Sequence, residues 1–191
     1  MSDKARASGV FIADIPPLPT ISPTAPPTQT PAVNHVLITE LSTRSDEWIE
    51  LYNPTTTTIS LSNWSIRDNS TNAPDSFLGT SSLPSGGFAI ILGKGQAPPL
   101  VPIDTIIIEI DDSLLGNGLT DAGDKIELYD SASVLVDAVS YGNVGITGFT
   151  PPLPNPIAGQ TYARVPINTD TDTSSDWVIR SSRDPGAINK P

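Results

Sequence analysis

A chain of 191 residues fits one domain, or one domain with a tail, and is long enough to bury a core. Its formal net charge is −11, from 21 acidic and 10 basic residues. Two acids and two bases precede Val33 and cancel, so the excess belongs to residues 33–191, whose surface repels phosphate backbones and anionic lipid headgroups. The absence of cysteine excludes disulfides, thiolate nucleophiles and Cys-ligated zinc, and the single histidine, His35, argues against a His-based zinc site. No apolar run approaches the ~18 residues of a membrane span, and no signal peptide is recognised, because the bases near Met1 lead into no apolar stretch.

Pro16–Pro31 reads PPLPTISPTAPPTQTP. Proline fixes φ and lacks an N–H, so neither helix nor ladder forms there. The segment reads as a disordered tail, or as an extended linker of the kind that tethers modules of exported proteins. The linker reading needs something upstream. Only about fifteen residues stand there, which suggests a piece of a longer protein.

Short alternating runs come next: His35–Leu41, Glu47–Tyr52, Thr58–Leu61, Trp64–Arg67, Phe88–Leu92, Thr105–Ile110, Lys125–Tyr129, Val134–Tyr141 and a last edge strand at Trp177–Arg180. They are rich in Val, Ile, Thr and aromatic residues. Turn chemistry separates them at Asn53-Pro54, Ser85-Gly86-Gly87, Gly116-Asn117-Gly118, Ala122-Gly123-Asp124 and Tyr141-Gly142-Asn143. No segment carries a helical period. The class is all-β, a sandwich of about seven to nine strands over residues 33–191, preceded by a disordered Pro/Thr-rich segment over residues 1–32.

The ordered set of motifs resembles the lamin tail domain. EWIELYNP (Glu47–Pro54) and LSNWSIRD (Leu61–Asp68) resemble its opening, and LPSGGFAIILGKG (Leu83–Gly95) its middle hairpin region. GNGLTDAGDKIELYDSASVLVDAVSYG (Gly116–Gly142) resembles its later strands, and TDTDTSSDWVIRSSRDPGAIN (Thr169–Asn189) the closing strand of bacterial members. The resemblance implies an immunoglobulin-like sandwich with Ile49, Leu51, Trp64, Phe88, Ile90, Ile126 and Leu128 in the core, and no agreed catalytic activity. Bacterial members are often joined to nucleases, hydrolases or surface domains. The heptad rod of nuclear lamins and a basic surface are both missing, so filament function is not carried over.

Several groups could carry chemistry. Asp170, Asp172 and Asp176 cluster with partly alternate spacing, which suits the oxygen ligands of calcium, although the EF-hand pattern is not met; the plainer reading is a solvated acidic loop. Asp104, Asp111 and Asp112 guard the ends of a sticky strand. Glu47 and Glu50 lie three apart on a strand and point to opposite faces, which disfavours acid–base work as a pair. Whether Glu40 and Asp46 join them in space is left open. His35 beside a flexible segment is a poor triad base, and there is no GxSxG elbow. Gly93-Lys94-Gly95 and Gly116-Asn117-Gly118 are turns rather than phosphate cradles, and Arg180 with Arg183 forms at most a small basic patch. Trp48, Tyr52 and Tyr141 could make an aromatic platform for carbohydrate, or simply cover the sandwich edge.

The resulting expectation is a non-enzymatic binding or structural module of an extracellular or cell-surface protein. It is monomeric, needs no cofactor beyond the calcium question at Asp170, Asp172 and Asp176, and recognises protein or polysaccharide rather than nucleic acid. The alternative is an accessory domain of a nuclease or other hydrolase.

Overall fold

A computed structural model describes residues 33–44, 46–70 and 73–190, so the Pro/Thr-rich segment expected to be disordered lies outside the described residues. Their regular structure is β1 (Leu37–Ser42), β2 (Trp48–Tyr52), β3 (Ile59–Ser60), β4 (Ser65–Arg67), β5 (Asp75–Ser76), β6 (Ser82–Leu83), β7 (Phe88–Leu92), β8 (Ile106–Glu109), β9 (Gly123–Tyr129), β10 (Leu135–Gly142), β11 (Thr161–Arg164) and β12 (Trp177–Arg180), with one 3₁₀ turn at Ser174–Asp176. The protein is all-β, as expected. Nine of the twelve strands have three or more residues; β3, β5 and β6 have two each.

A six-stranded sheet runs β12-β11-β1-β2-β7-β8, and a four-stranded sheet runs β10-β9-β4-β5. Strands β3 and β6 pair separately. Between the sheets, the period-2 faces of the strands meet in one apolar core: Ile38, Leu41, Ile49, Leu51, Ala89 and Ile91 from the large sheet, and Ile66, Ile126, Leu128 and Val139 from the small one. Trp64 is 7% exposed and joins this core. Burying a side chain of that size stabilises the fold by a few kcal/mol, roughly 25 cal/mol for each Å² of apolar surface removed from water.

Ile90 is buried as expected but outside the core between the sheets, and Phe88 is only partly buried. Alternation along FAIIL puts Phe88, Ile90 and Leu92 on one face, but it is the outer face. There Ile90 and Leu92 pack with Trp48, while Phe88 stacks on Tyr52 with ring centroids 5.0 Å apart. Ala89 and Ile91 turn inward instead. Periodicity shows which residues share a face; it does not show which face is the interior, and here both faces are covered. The aromatic platform does not form for the same reason: Trp48 is 1% and Tyr141 0% exposed. Strand β8 is a further departure. It pairs with β7 in parallel, so residues 93–105 form a crossover rather than a hairpin.

One irregularity shapes the rest of the molecule. Between β1 and β2 the register shifts from Ile38↔Leu51 to Glu40↔Glu50, a β-bulge at Thr39. Ile38 and Leu41 point into the core, and both Thr39 and Glu40 turn outward. A bulge leaves backbone groups without ladder partners and turns side chains to new directions.

Candidate functional site

The bulge accounts for the buried Asp137 and Arg164, which meet its backbone. Ile38 N–H donates to Asp137 Oδ2 (2.7 Å) on β10, in the other sheet. Ile38 O accepts from Arg164 Nε on β11 (2.9 Å), and Thr39 O accepts from Asn189 Nδ2 (2.9 Å). Buried backbone groups need partners, and side chains supply them here. Arg164 is 1% exposed. Its Nη2 donates to Asp137 (3.0 Å), and its Nη1 donates to Thr169 O (2.8 Å) and to Asp170 Oδ1 (2.9 Å). Its guanidinium carbon lies 4.8 Å from the centre of the Trp177 ring.

This knot holds two of the three aspartates considered for calcium. Asp170 lies between Arg164 and His35, whose Nε2 is 3.1 Å from Asp170 Oδ2. Burial raises the Asp170 carboxyl, but His35 and Arg164 together bring it down to about 2. The same contact raises the pKa of His35. Asp176 accepts from Thr171 N–H (2.7 Å) and Thr171 Oγ1 (2.8 Å), with Arg164 Nη1 at 3.7 Å. Asp172 has φ 55° and makes no side-chain hydrogen bond or ion pair among the described residues. Asp170 and Asp176 therefore meet a cation that the chain itself carries. Among the described residues, no group of three or more His, Asp or Glu side chains could hold a metal ion.

A second set lies on the outer face of the large sheet. Glu40 and Glu50 stand directly opposite each other on β1 and β2, each 0% exposed. Glu40 accepts from Thr161 Oγ1 (2.8 Å) and Glu50 from Thr39 Oγ1 (2.7 Å). Their other oxygens accept backbone N–H groups of the segment after β12: Asp184 N–H to Glu40 (3.3 Å) and Gly186 N–H to Glu50 (2.6 Å). Residues 183–189 thus lie as a strap over the acids. Gly186 has φ +80°, and a Cβ there would stand 2.2 Å from Thr105 Oγ1. Burial pushes the Glu50 carboxyl up to about 8, and the neighbouring Glu40 adds to the rise. Two carboxyls with raised pKa values are a pattern met at catalytic sites, but the strap seals these from solvent. Asp46 does not join them; it pairs with Arg183.

At one end of the sandwich, the loop 116–120 is held by four carboxylates. Gly116 N–H donates to Asp75 (2.5 Å), Asn117 N–H to Asp68 (3.0 Å), Leu119 N–H to Glu47 (3.0 Å) and Thr120 N–H to Asp124 (3.0 Å). Gly116 has φ +65°, and a Cβ would fall 2.0 Å from the Asp68 carboxyl carbon. This GNG turn grips its own chain through side-chain anions, so it is no phosphate cradle. Beside it lies a cavity of about 140 Å³ lined by Asp46, Glu47, Gln96, Ser113 and Leu114, among others. It is well below the roughly 300–1,000 Å³ of a small-molecule site.

Arg164, the Glu40–Glu50 pair and the strap have no motif that announces them. β11 is a four-residue TYAR run, too short for its alternation to stand out, and the partners of Arg164 lie up to 126 residues away.

The two facing sheets, the bulge and the caged loops define an immunoglobulin-like β-sandwich, a binding or structural module of non-catalytic type. A family model described as Lamin Tail Domain matches residues 29–143, more than half of the chain, and the protein belongs to that family. Strands β11 and β12, Arg164 and the strap all lie beyond the matched residues. No curated protein matches the chain.

Proposed function

We propose that this chain is a non-catalytic recognition module of an exported or cell-surface protein, binding protein or polysaccharide through its strands and loops. One observation carries the reading. The buried carboxyls that could pass for catalytic groups are engaged by the fold's own donors: Asp137 by Arg164 and Ile38, Glu40 and Glu50 by hydroxyls and the strap. Catalysis needs such groups within reach of a substrate. The Pro/Thr-rich segment supports the placement on an exported protein.

The test is direct binding. The full chain, immobilised, is exposed to displayed peptide libraries and to arrays of cell-wall and extracellular polysaccharides. Saturable binding to a member of either class supports the reading. Turnover of a substrate by the purified chain, abolished in Glu40→Gln or Glu50→Gln, would sink it. The second reading is an accessory domain of a nuclease or other hydrolase. It is favoured if the protein in its native context carries such a catalytic domain and the module changes that domain's affinity for substrate.

A further inference from the structure

Strand β8 ends the six-stranded sheet. Ile110 N–H donates to Leu92 O (3.0 Å), so alternate residues of this stretch face β7 and the backbone of Ile107 faces away. From Glu109 onward that outer edge is covered: Leu78 N–H donates to Glu109 O (2.7 Å) and Asp111 N–H to Ser76 O (3.0 Å). Before Glu109 no other described residue pairs with it, and Ile107 is 38% exposed. Two large apolar side chains stand just ahead of the strand without cover, Leu100 (98% exposed) and Ile103 (105%). Beyond its other end lies an open depression of about 530 Å³ lined in part by Asp75, Asp111 and Asp112.

Charge decides what suits this edge. From Gly95 to Asp124 the sequence has no Lys or Arg, and Asp104, Glu109, Asp111 and Asp112 bracket β8. Lys94 is the nearest base in sequence; its backbone N–H donates to Asp112 O (2.6 Å), and its side chain makes no ion pair among the described residues. A second copy added antiparallel about Ile107 would bring Asp104 of each chain against the Ile110–Asp111 end of the other. Like charges would then face each other at both ends. An extended segment with apolar residues at alternate positions and Lys or Arg at its ends meets no such penalty.

We propose that the open edge of β8 receives an extended peptide segment of a partner protein, with a basic residue on at least one side of an apolar stretch. The partner's backbone pairs with Ile107, its apolar side chains meet Leu100 and Ile103, and its basic residue lies against Asp104 at the uncovered end of the strand. This rests on the recognition-module reading and narrows it to one edge and one class of protein ligand.

The experiment selects short random displayed peptides on the full chain, with no assumed partner. Enriched peptides are then titrated as synthetic probes while backbone amide resonances are followed. The expected winners carry Lys or Arg beside alternating apolar residues, and move the amides of residues 103–112. Asp104→Lys, an exposed change, should weaken binding at least about tenfold, and raising the salt should weaken it for the wild type. Leu100→Ser/Ile103→Ser, two more exposed changes, should weaken it without altering the melting temperature. Three results overturn the proposal: enriched peptides without positive charge, amide shifts confined to another face, or self-association through β8 in sedimentation. A polysaccharide bound at another face would leave the recognition-module reading standing while removing this one. Binding of no ligand in either screen would remove both.

Discussion

The two faces of the six-stranded sheet are both buried, by opposite chemistries. The inner face is apolar apart from Arg164 and Asp137, which pair across the two sheets; Ile38, Leu41, Ile49, Leu51, Ala89 and Ile91 meet the smaller sheet, and area removed from water stabilises it. The outer face mixes Trp48, Ile90 and Leu92 with Glu40, Glu50, Thr39 and Thr161, under a strap held by hydrogen bonds to carboxyls. The inner face tolerates any side chain that is apolar and of the right volume. The outer face depends on particular donors and acceptors, since a buried polar group without a partner costs about 1–3 kcal/mol. The bulge at Thr39 makes the difference, because it turns two successive polar residues outward and leaves Ile38 N–H, Ile38 O and Thr39 O to side chains.

The comparison can be broken most sharply at Arg164. Arg164→Met should lower stability in urea unfolding by about 3–5 kcal/mol, because it leaves Asp137 buried without its cation. Adding Asp137→Asn should recover part of that loss. If Arg164→Met costs no more than a surface change, the knot does not hold the bulge. On the inner face, Leu51→Ala should cost about 2–5 kcal/mol through a cavity alone. Its cost should not change with pH, which sets apolar packing apart from the Arg164–Asp137 knot in one denaturation series.

Gly186→Ala tests the strap. The left-handed backbone and the close Thr105 hydroxyl predict a cost of about 1–3 kcal/mol. Faster hydrogen exchange at the Asp184 and Gly186 amides should accompany it. A variant with unchanged exchange would mean that the strap is not held where it lies.

The pH dependence of Glu50 has a definite sign. Its pKa is raised from the ordinary 4.5 to about 8 in the folded chain. The folded state therefore binds the proton more tightly than the unfolded state. The stability this gives is complete below about pH 4.5 and is lost as pH rises through about 8. Glu50→Gln, which resembles the protonated acid, should be the more stable chain at pH 9 and close to wild type at pH 5. Parallel pH curves for the two proteins would count against a buried, protonated Glu50.

The smallest effect expected is that of calcium. Asp170 and Asp176 already meet Arg164, His35 and Thr171. Millimolar calcium and excess chelator should therefore give the same melting temperature. A rise of several degrees in calcium would mean that the ion displaces those partners.

Much of the fold is legible in the sequence because it rests on local rules. The alternation at Glu47–Tyr52 and Lys125–Tyr129 marks Ile49, Leu51, Ile126 and Leu128 as core, and they are. The turn chemistry read at Asn53 and Asp124 also holds: Asn53 Oδ1 accepts from Thr55 N–H (3.0 Å), and Asp124 Oδ2 accepts from Thr120 N–H (3.0 Å). Phe88 and Ile90 lie on the expected strand but on the opposite face, because only the packed sheet decides which face is covered by its partner sheet and which by the 93–105 crossover and the strap.

By itself, then, the sequence determined an acidic all-β chain with its strands, turns and most of its core, since strand periodicity and turn chemistry act over a few residues. Only the tertiary structure decided where the charges go. Arg164 meets Ile38 across 126 positions, Gly186 meets Glu50 across 136, and Asn189 meets Thr39 across 150. Nothing local marks such partners, because what selects them is the demand of buried backbone groups and carboxyls for a partner once water has been excluded.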